Sequence, residues 1–149
     1  MLEFKKLSYF NFIQMYLFLK RNKNDIHFFK PHEFNIKSLL KNIHNKKDFF
    51  ICMVYKKKII GYGMLRGWKE GFDTPSLGIM INKENRGFGL SKVMMEFLHV
   101  VCKFRNCDKV MLKVTKDNIK AINLYKKLGY NLNDYNEKFL IGYKKIKDE

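Results

Sequence analysis

The segment from residue 76 to residue 115 constrains this chain more than any other. It begins with an apolar run, Leu77-Gly78-Ile79-Met80-Ile81, and passes through Arg86-Gly87-Phe88-Gly89-Leu90-Ser91. From Gly89 to about Arg105, the residues Leu90, Val93, Met94, Phe97, Leu98 and Val101 then recur at helical spacing as a core stripe. Lys109 to Thr115 alternates polar and apolar residues, as a half-buried strand does. Strand, long helix and strand in this order imply a right-handed crossover that joins a parallel pair. The glycines between strand and helix let the backbone approach a ligand and point successive N–H groups outward. The helix adds partial positive charge at its N-terminus, and Arg86 stands beside it. That combination suits a diphosphate or a similar anion. It is neither the dinucleotide fingerprint nor the nucleotide phosphate loop.

The flanking sequence supplies further strands and helices. Residues 2–8 read as a short strand, and residues 11–21 as a helix carrying Phe12, Met15, Tyr16 and Leu19 on one face. Asp25 to His32 is an irregular segment broken by Pro31. A second helix is expected over 36–45, followed by strands at 49–55 and 59–68 around the Lys56-Lys57-Lys58 turn. Residues 67–75 form a loop. After the strand 109–115, Asp117 or Asn118 caps a fourth helix that ends before Gly129. Strands at 130–135 and 138–146 close the chain. The expected class is α/β, with one domain over residues 1–149. Its mixed, mostly antiparallel sheet has about seven strands with one central parallel pair, and about four helices cover it.

Composition narrows the function classes. Hydrophobic residues make up 46% with only two prolines, which is a globular composition. The cysteines, Cys52, Cys102 and Cys107, are odd in number and form no CxxC pair, so neither structural zinc nor a disulfide framework is expected. Cys52 and Cys102 read as core residues, and Cys107 as a loop thiol that can be exposed. The start of the chain lacks the apolar region of a signal peptide, and no apolar run can span a bilayer. A cytoplasmic protein with no membrane partner is therefore expected. The net charge of +16 raises nucleic acid as a partner. The lysines are spread along the chain, however, and only Arg21, Arg66, Arg86 and Arg105 are arginine. An anionic coenzyme benefits from the same field, so nucleic acid is the disfavoured reading.

A second pattern lies at Asn118-Ile-Lys-Ala121-Ile-Asn-Leu-Tyr125-Lys-Lys-Leu-Gly129-Tyr130. On a helix, Asn118, Ala121, Ile122 and Tyr125 share a face. Ala121 leaves room, Asn118 offers a donor and an acceptor, and Tyr125 carries a polar tip. The two patterns together resemble the GNAT superfamily of acetyl-CoA-dependent N-acetyltransferases. Its signature, Arg/Gln-x-x-Gly-x-Gly/Ala, is met by Arg86 and Gly89, with Ser91 a mild departure at the last position. The resemblance covers nearly the whole chain and implies a three-layer fold with acetyl-CoA as co-substrate and no metal. It also implies that Ile79, Met80 and Ile81 pair with the pantetheine arm. Gly87, Phe88, Gly89, Leu90 and Ser91 would hold the pyrophosphate beside Arg86, and Asn118 and Ala121 would line the arm. Tyr125 matches the family's general acid, and the acceptor amine attacks directly.

The general base and the acceptor are less legible. Many family members carry a Glu in the strand before the turn, where this chain has Ser76-Leu-Gly-Ile-Met-Ile. Glu70 and His32 are the substitutes of suitable chemistry, with Asp73 nearby. Glu84 reads as a turn residue, and His99 falls off its helix stripe and is expected on the surface. Phe29, Trp68 and Asp73 are the candidate acceptor contacts, with Phe28 and Phe72 as further aromatic walls. The Gly67-Trp68-x-Glu70-Gly71 stretch and Pro75-Ser-Leu-Gly78 resemble GNAT proteins associated with surface-polysaccharide synthesis. That resemblance implies an amino sugar or sugar nucleotide as acceptor. N-acetylation of a protein or peptide, a basic nucleic-acid-binding module and a GNAT fold without turnover are the alternatives, and a homodimer is left open.

Overall fold

The computed structural model describes residues 1–30 and 32–147, so Pro31 lies outside the described residues. The elements run β1 (Leu2–Lys6), α1 (Phe12–Arg21), α2 (Ile36–His44), β2 (Phe49–Tyr55), β3 (Lys58–Arg66), β4 (Ser76–Ile81), α3 (Leu90–Phe104), β5 (Lys109–Thr115), α4 (Ile119–Lys127), β6 (Asn131–Asp134) and β7 (Phe139–Lys145). The strands form one seven-stranded sheet in the order β1-β2-β3-β4-β5-β7-β6. Among the described residues only the β4–β5 pair is parallel. The α/β class, the strand count and the single parallel pair therefore stand as expected.

Alternation in the central strands builds two cores. On β2, Phe50, Cys52 and Val54 face one side, and Ile51 and Met53 face the other. The first side packs against α1 and α2 through Met15, Phe18, Leu19 and Leu39. The second packs against α3 and α4 through Met94, Met95, Leu98, Cys102 and Ile122. This gives three layers, with the sheet as the shared middle. Gly63 on β3 is a close-approach position, since a Cβ there would sit 2.7 Å from the Met94 sulfur. Its absence lets α3 lie down on the sheet.

The structure corrects two expectations of exposure. Cys107 is only 5% exposed, because the chain turns back under α3 and its N–H donates to the Cys102 carbonyl at 3.0 Å. His99 is 7% exposed, with its Nε2 2.8 Å from the Tyr130 hydroxyl. The off-stripe position of His99 faces the loop that leads into β6. Expectation from periodicity failed there because the covering partner lies 31 residues away in sequence.

Burial pushes the His99 imidazole down to about 4, and the charges of Lys144 and Lys103 act in the same direction. The unfolded chain titrates His99 near 6.5, so it takes up the proton first as pH falls. The contribution to stability is fully present above pH 6.5 and is lost as pH falls towards 4. Urea unfolding should therefore show a decline of about 2–3 kcal/mol across that window. His99→Gln, which keeps a hydrogen-bonding group but cannot titrate, should flatten the slope. An unchanged slope in the variant would remove His99 as its source.

Candidate active site

The site begins where the sheet parts. On one side β4 is paired with β3 along its whole length, from Gly61 against Ile81 to Arg66 against Ser76. On the other side β5 meets β4 at one position, Ser76 against Met111, and the Met111 N–H donates to the Pro75 carbonyl at 3.0 Å. Beyond it the two strands diverge towards their C-terminal ends. The inner edge of β4 at Ile79, Met80 and Ile81 thus borders a wedge. Such an edge accepts an extended, amide-bearing chain in the manner of an added strand.

The wide end of the wedge carries the glycine turn. Gly87 has φ of 85° and Gly89 has φ of 77°, and a Cβ at either would meet nothing within 4 Å. Glycine is required there by the left-handed backbone, and the space beside it is open. Gly89 is the N-cap of α3 and brings no side chain to the first-turn amides of Leu90 and Ser91. Those N–H groups and the helix dipole have the chemistry that suits an anion, and Phe88 stands 75% exposed beside them. Arg86 is placed differently from a freely presented anion ligand. Its Nε–H donates to the Ile81 carbonyl at 2.9 Å, and its Nη2 lies 2.5 Å from Asp25 Oδ2.

The opposite wall is the start of α4. Asn118 is the N-cap, and its Oδ1 accepts from the Ala121 N–H at 3.3 Å, so its Nδ2 donors are what remain for a ligand. About two turns beyond that cap, Tyr125 packs against the α3-side core with its ring 5.8 Å from that of Tyr130. Burial pushes the Tyr125 hydroxyl up to about 12, so it is protonated at neutral pH. A 3-10 turn at Lys23–His27 crosses between the two walls. Asp25 reaches Arg86 on the α3 side, and His27 Nε2 lies 2.7 Å from Asp117 Oδ2 on the α4 side. These links join residues 61 and 90 positions apart, and residues 23–27 showed no helical pattern to announce them.

At the narrow end, on the α1–α2 face, lies a polar cleft of about 180 Å³. His32, Asn42, Asp48, Arg66, Lys69 and Glu70 are among its lining residues. His32 and Glu70 are therefore brought together. The Nδ1 of His32 lies 2.8 Å from the Glu33 carbonyl, which only accepts, so Nδ1 carries the proton. Its Nε2 lies 3.1 Å from the Tyr62 hydroxyl and takes that proton as acceptor. Desolvation lowers the His32 pKa and the Arg66 charge works the same way, so the ring is neutral at pH 7 with its lone pair engaged. Asp48, 5% exposed, accepts from the Gly67 and Lys69 amides and from Asn45 Nδ2. It holds the β3–β4 loop against β2.

The candidate acceptor contacts separate. Phe29 lies over β4, where a Cβ on Gly78 would meet its ring at 2.9 Å. Trp68 packs towards the α3-side core beneath the Arg105 guanidinium, 4.2 Å from its ring centroid, and does not line the cleft. Asp73 is exposed on the loop away from the cleft, as are Phe28 and Phe72 on their own segments. Among the described residues no three His, Cys, Asp or Glu side chains converge as metal ligands. Among the same described residues no helix is long and apolar enough to cross a membrane.

Comparison with known proteins bears on this geometry. The model of the acetyltransferase (GNAT) family matches residues 13–130. The acetyltransferase SG1711 of Sodalis glossinidius (strain morsitans) is 24% identical over 109 residues, which cover 73% of this chain and 74% of the relative. The ribosomal-protein-S5-alanine acetyltransferase of Vibrio fischeri superposes with a TM-score of 0.83 at 17% identity, over 99% of this chain and 94% of that one. The spermidine N-acetyltransferase of Vibrio cholerae, solved with CoA and spermine, gives 0.80 at 20% identity, over 97% and 95%.

Gly89 offers a check on the turn. An alanine there has room for its Cβ but not the backbone angle, so Gly89→Ala should cost about 1–2 kcal/mol in urea unfolding. Gly89→Asn should cost less, because asparagine tolerates the left-handed region. Equal losses in both variants would show that space, and not φ, governs the position.

Proposed function

The chain belongs to the GNAT acetyltransferase family, and we propose that it carries the acetyl group of acetyl-CoA directly to the primary amine of a small acceptor, an amino sugar or a sugar nucleotide. The wedge between β4 and β5, ending at the side-chain-free start of α3, is the observation that carries this reading. Its open strand edge suits the amides of a pantetheine arm, and the amides from Gly87 to Ser91 suit a pyrophosphate. Asn118, whose Nδ2 donors are not used by the cap, and the small Ala121 at the start of α4 suit the further length of the same arm. Arg86 shapes the turn by holding the Ile81 carbonyl and Asp25, and contributes its charge from there.

When bound, the coenzyme supplies a thioester whose acyl carbon accepts an amine and whose sulfur leaves as thiolate. Tyr125, protonated at neutral pH, is assigned the general acid that protonates the sulfur as the C–S bond breaks and the C–N bond forms. The amine must lose a proton to attack. Glu70, exposed at the cleft, is assigned as its acceptor through water. The lone pair of His32 is taken up by Tyr62, so His32 is assigned to hold the cleft wall. The cleft of about 180 Å³ has polar side chains that can hold a small hydroxylated group, which supports the small-acceptor reading, with protein N-acetylation as the alternative.

Thiol release from acetyl-CoA in the presence of amino sugars, sugar nucleotides, polyamines and peptides tests the acceptor class. Tyr125→Phe should lower kcat by about 10²-fold or more, with little change in coenzyme affinity measured by thermal shift. Unaltered turnover in that variant would overturn the general-acid assignment.

A further inference from the structure

We propose that His99 and Tyr130 act as a pair that positions Tyr125, so that the place of the general acid is set by the same helix that begins at the glycine turn. The proposal rests on the acetyltransferase reading above and adds to it two buried residues.

The end of α4 brings Tyr130 to Tyr125. The helix closes at Leu128, and Gly129 follows with φ of 85°. The Gly129 N–H donates to the Lys126 carbonyl and the Tyr130 N–H to the Tyr125 carbonyl, each at 3.0 Å. These two bonds form the reversal of a glycine-terminated helix, which commonly packs the residue after the glycine on the residue five positions earlier. The Tyr130 and Tyr125 rings make that contact, with centroids 5.8 Å apart and planes tilted by 56°. One residue thus holds Tyr125 at its backbone and at its ring. Among the described residues the Tyr125 hydroxyl has no hydrogen bond, so its position follows from the ring contacts.

Tyr130 is in turn held from another helix. It is 5% exposed, and its hydroxyl lies 2.8 Å from Nε2 of His99 on α3. Either the hydroxyl donates to Nε2 or Nε2–H donates to the hydroxyl, so both neutral tautomers keep the bond. Apolar contact is not directional, whereas a hydrogen bond is. The bond therefore fixes where the Tyr130 ring stands, and through it where Tyr125 stands. Because α3 starts at Gly89, the helix that places the first-turn amides also places Tyr130.

Misplacing a catalytic group by about 1 Å can cost about 10²-fold in rate. Without its hydroxyl, the Tyr130 ring keeps its contact with Tyr125 and loses its anchor on α3. The loss should then fall on kcat and spare coenzyme affinity.

Thiol release from acetyl-CoA is measured with glucosamine, spermidine and a short peptide with a free amino terminus, and the fastest amine is kept. Tyr130→Phe and His99→Leu should each lower kcat about tenfold, with the KM for acetyl-CoA and the CoA-induced rise in melting temperature retained. His99→Gln can donate to or accept from the hydroxyl, and should restore most of what His99→Leu loses. The double variant Tyr130→Phe/His99→Leu should lose no more than either single one, because the two residues act as a unit. With fluorotyrosine in place of Tyr125, the fluorine NMR signal of the CoA-loaded protein should be single and narrow. It should broaden or split in Tyr130→Phe and in His99→Leu, and stay narrow in His99→Gln. Full turnover in Tyr125→Phe overturns the general-acid reading itself. If Tyr125→Phe is impaired, then full turnover in Tyr130→Phe or His99→Leu, or an unchanged fluorine signal in them, overturns the positioning role alone. Loss of CoA binding in step with kcat also overturns it, since the pair would then serve the fold as a whole. If none of the amines reacts, the fluorine signal decides.

Discussion

Backbone amides in the middle of a sheet need partners, and the gap between β4 and β5 withholds them. Buried N–H and C=O groups left unmatched cost several kcal/mol by rough transfer estimates. A gap of this kind persists only where water or a ligand can reach it. The fold makes it tolerable by backing each wall with a full antiparallel partner. β4 is paired with β3 from Ile81 to Ser76, and β5 with β7 from Lys109 to Thr115. The α3 side chains Met94, Met95, Leu98 and Cys102 belong to the core packed on that face of the sheet. Opening the wedge therefore removes one ladder and leaves the core intact.

The sheet separates the site by face. The glycine turn leads into α3, and Tyr125 of α4 packs in the core on the α3 face. The cleft with His32, Arg66 and Glu70 belongs with α1, α2 and the end of β3. Strands β3 and β4 are the common wall, and their alternation assigns each residue to one half. The Lys23–His27 turn ties the halves at the wide end of the wedge, through Asp25 to Arg86 and His27 to Asp117. Both links are partly exposed, so they fix geometry more than they add stability.

What could be read in the sequence was local. The stripe on α3 and the glycines before it lie within one turn of each other, and the Asn118 cap acts over three residues. The element order followed, and with it the α/β class. What could not be read depended on contacts between distant segments. Arg86 looked like a free anion ligand because nothing near it announced Asp25. His99 looked exposed because Tyr130 belongs to another element. Trp68 looked like a pocket wall, yet the side chain that covers it is Arg105, from the end of α3. His32 was a reasonable base by residue type, but its protonation pattern follows from Tyr62, a buried residue on β3. In each case the missing information was a partner, and partners at long separation leave no local pattern.

The same distinction explains why the net charge of +16 says little about the acceptor. A diffuse field of lysines steers anions from a distance and is screened within about 8 Å at physiological ionic strength. Much of the basic inventory is already committed. Arg86 is held by Asp25, and Arg105 stacks on Trp68 while donating to the Lys47 carbonyl. Lys116 and Lys147 pair with Asp134 and Asp108. Charge that selects a ligand has to be concentrated and unopposed. The cleft beside α2 shows how seldom that holds here, because Lys41, Arg66 and Lys69 share its lining with the carboxylates of Asp48 and Glu70. Neutral amides bond to Asp48 and fix its place without cancelling its charge.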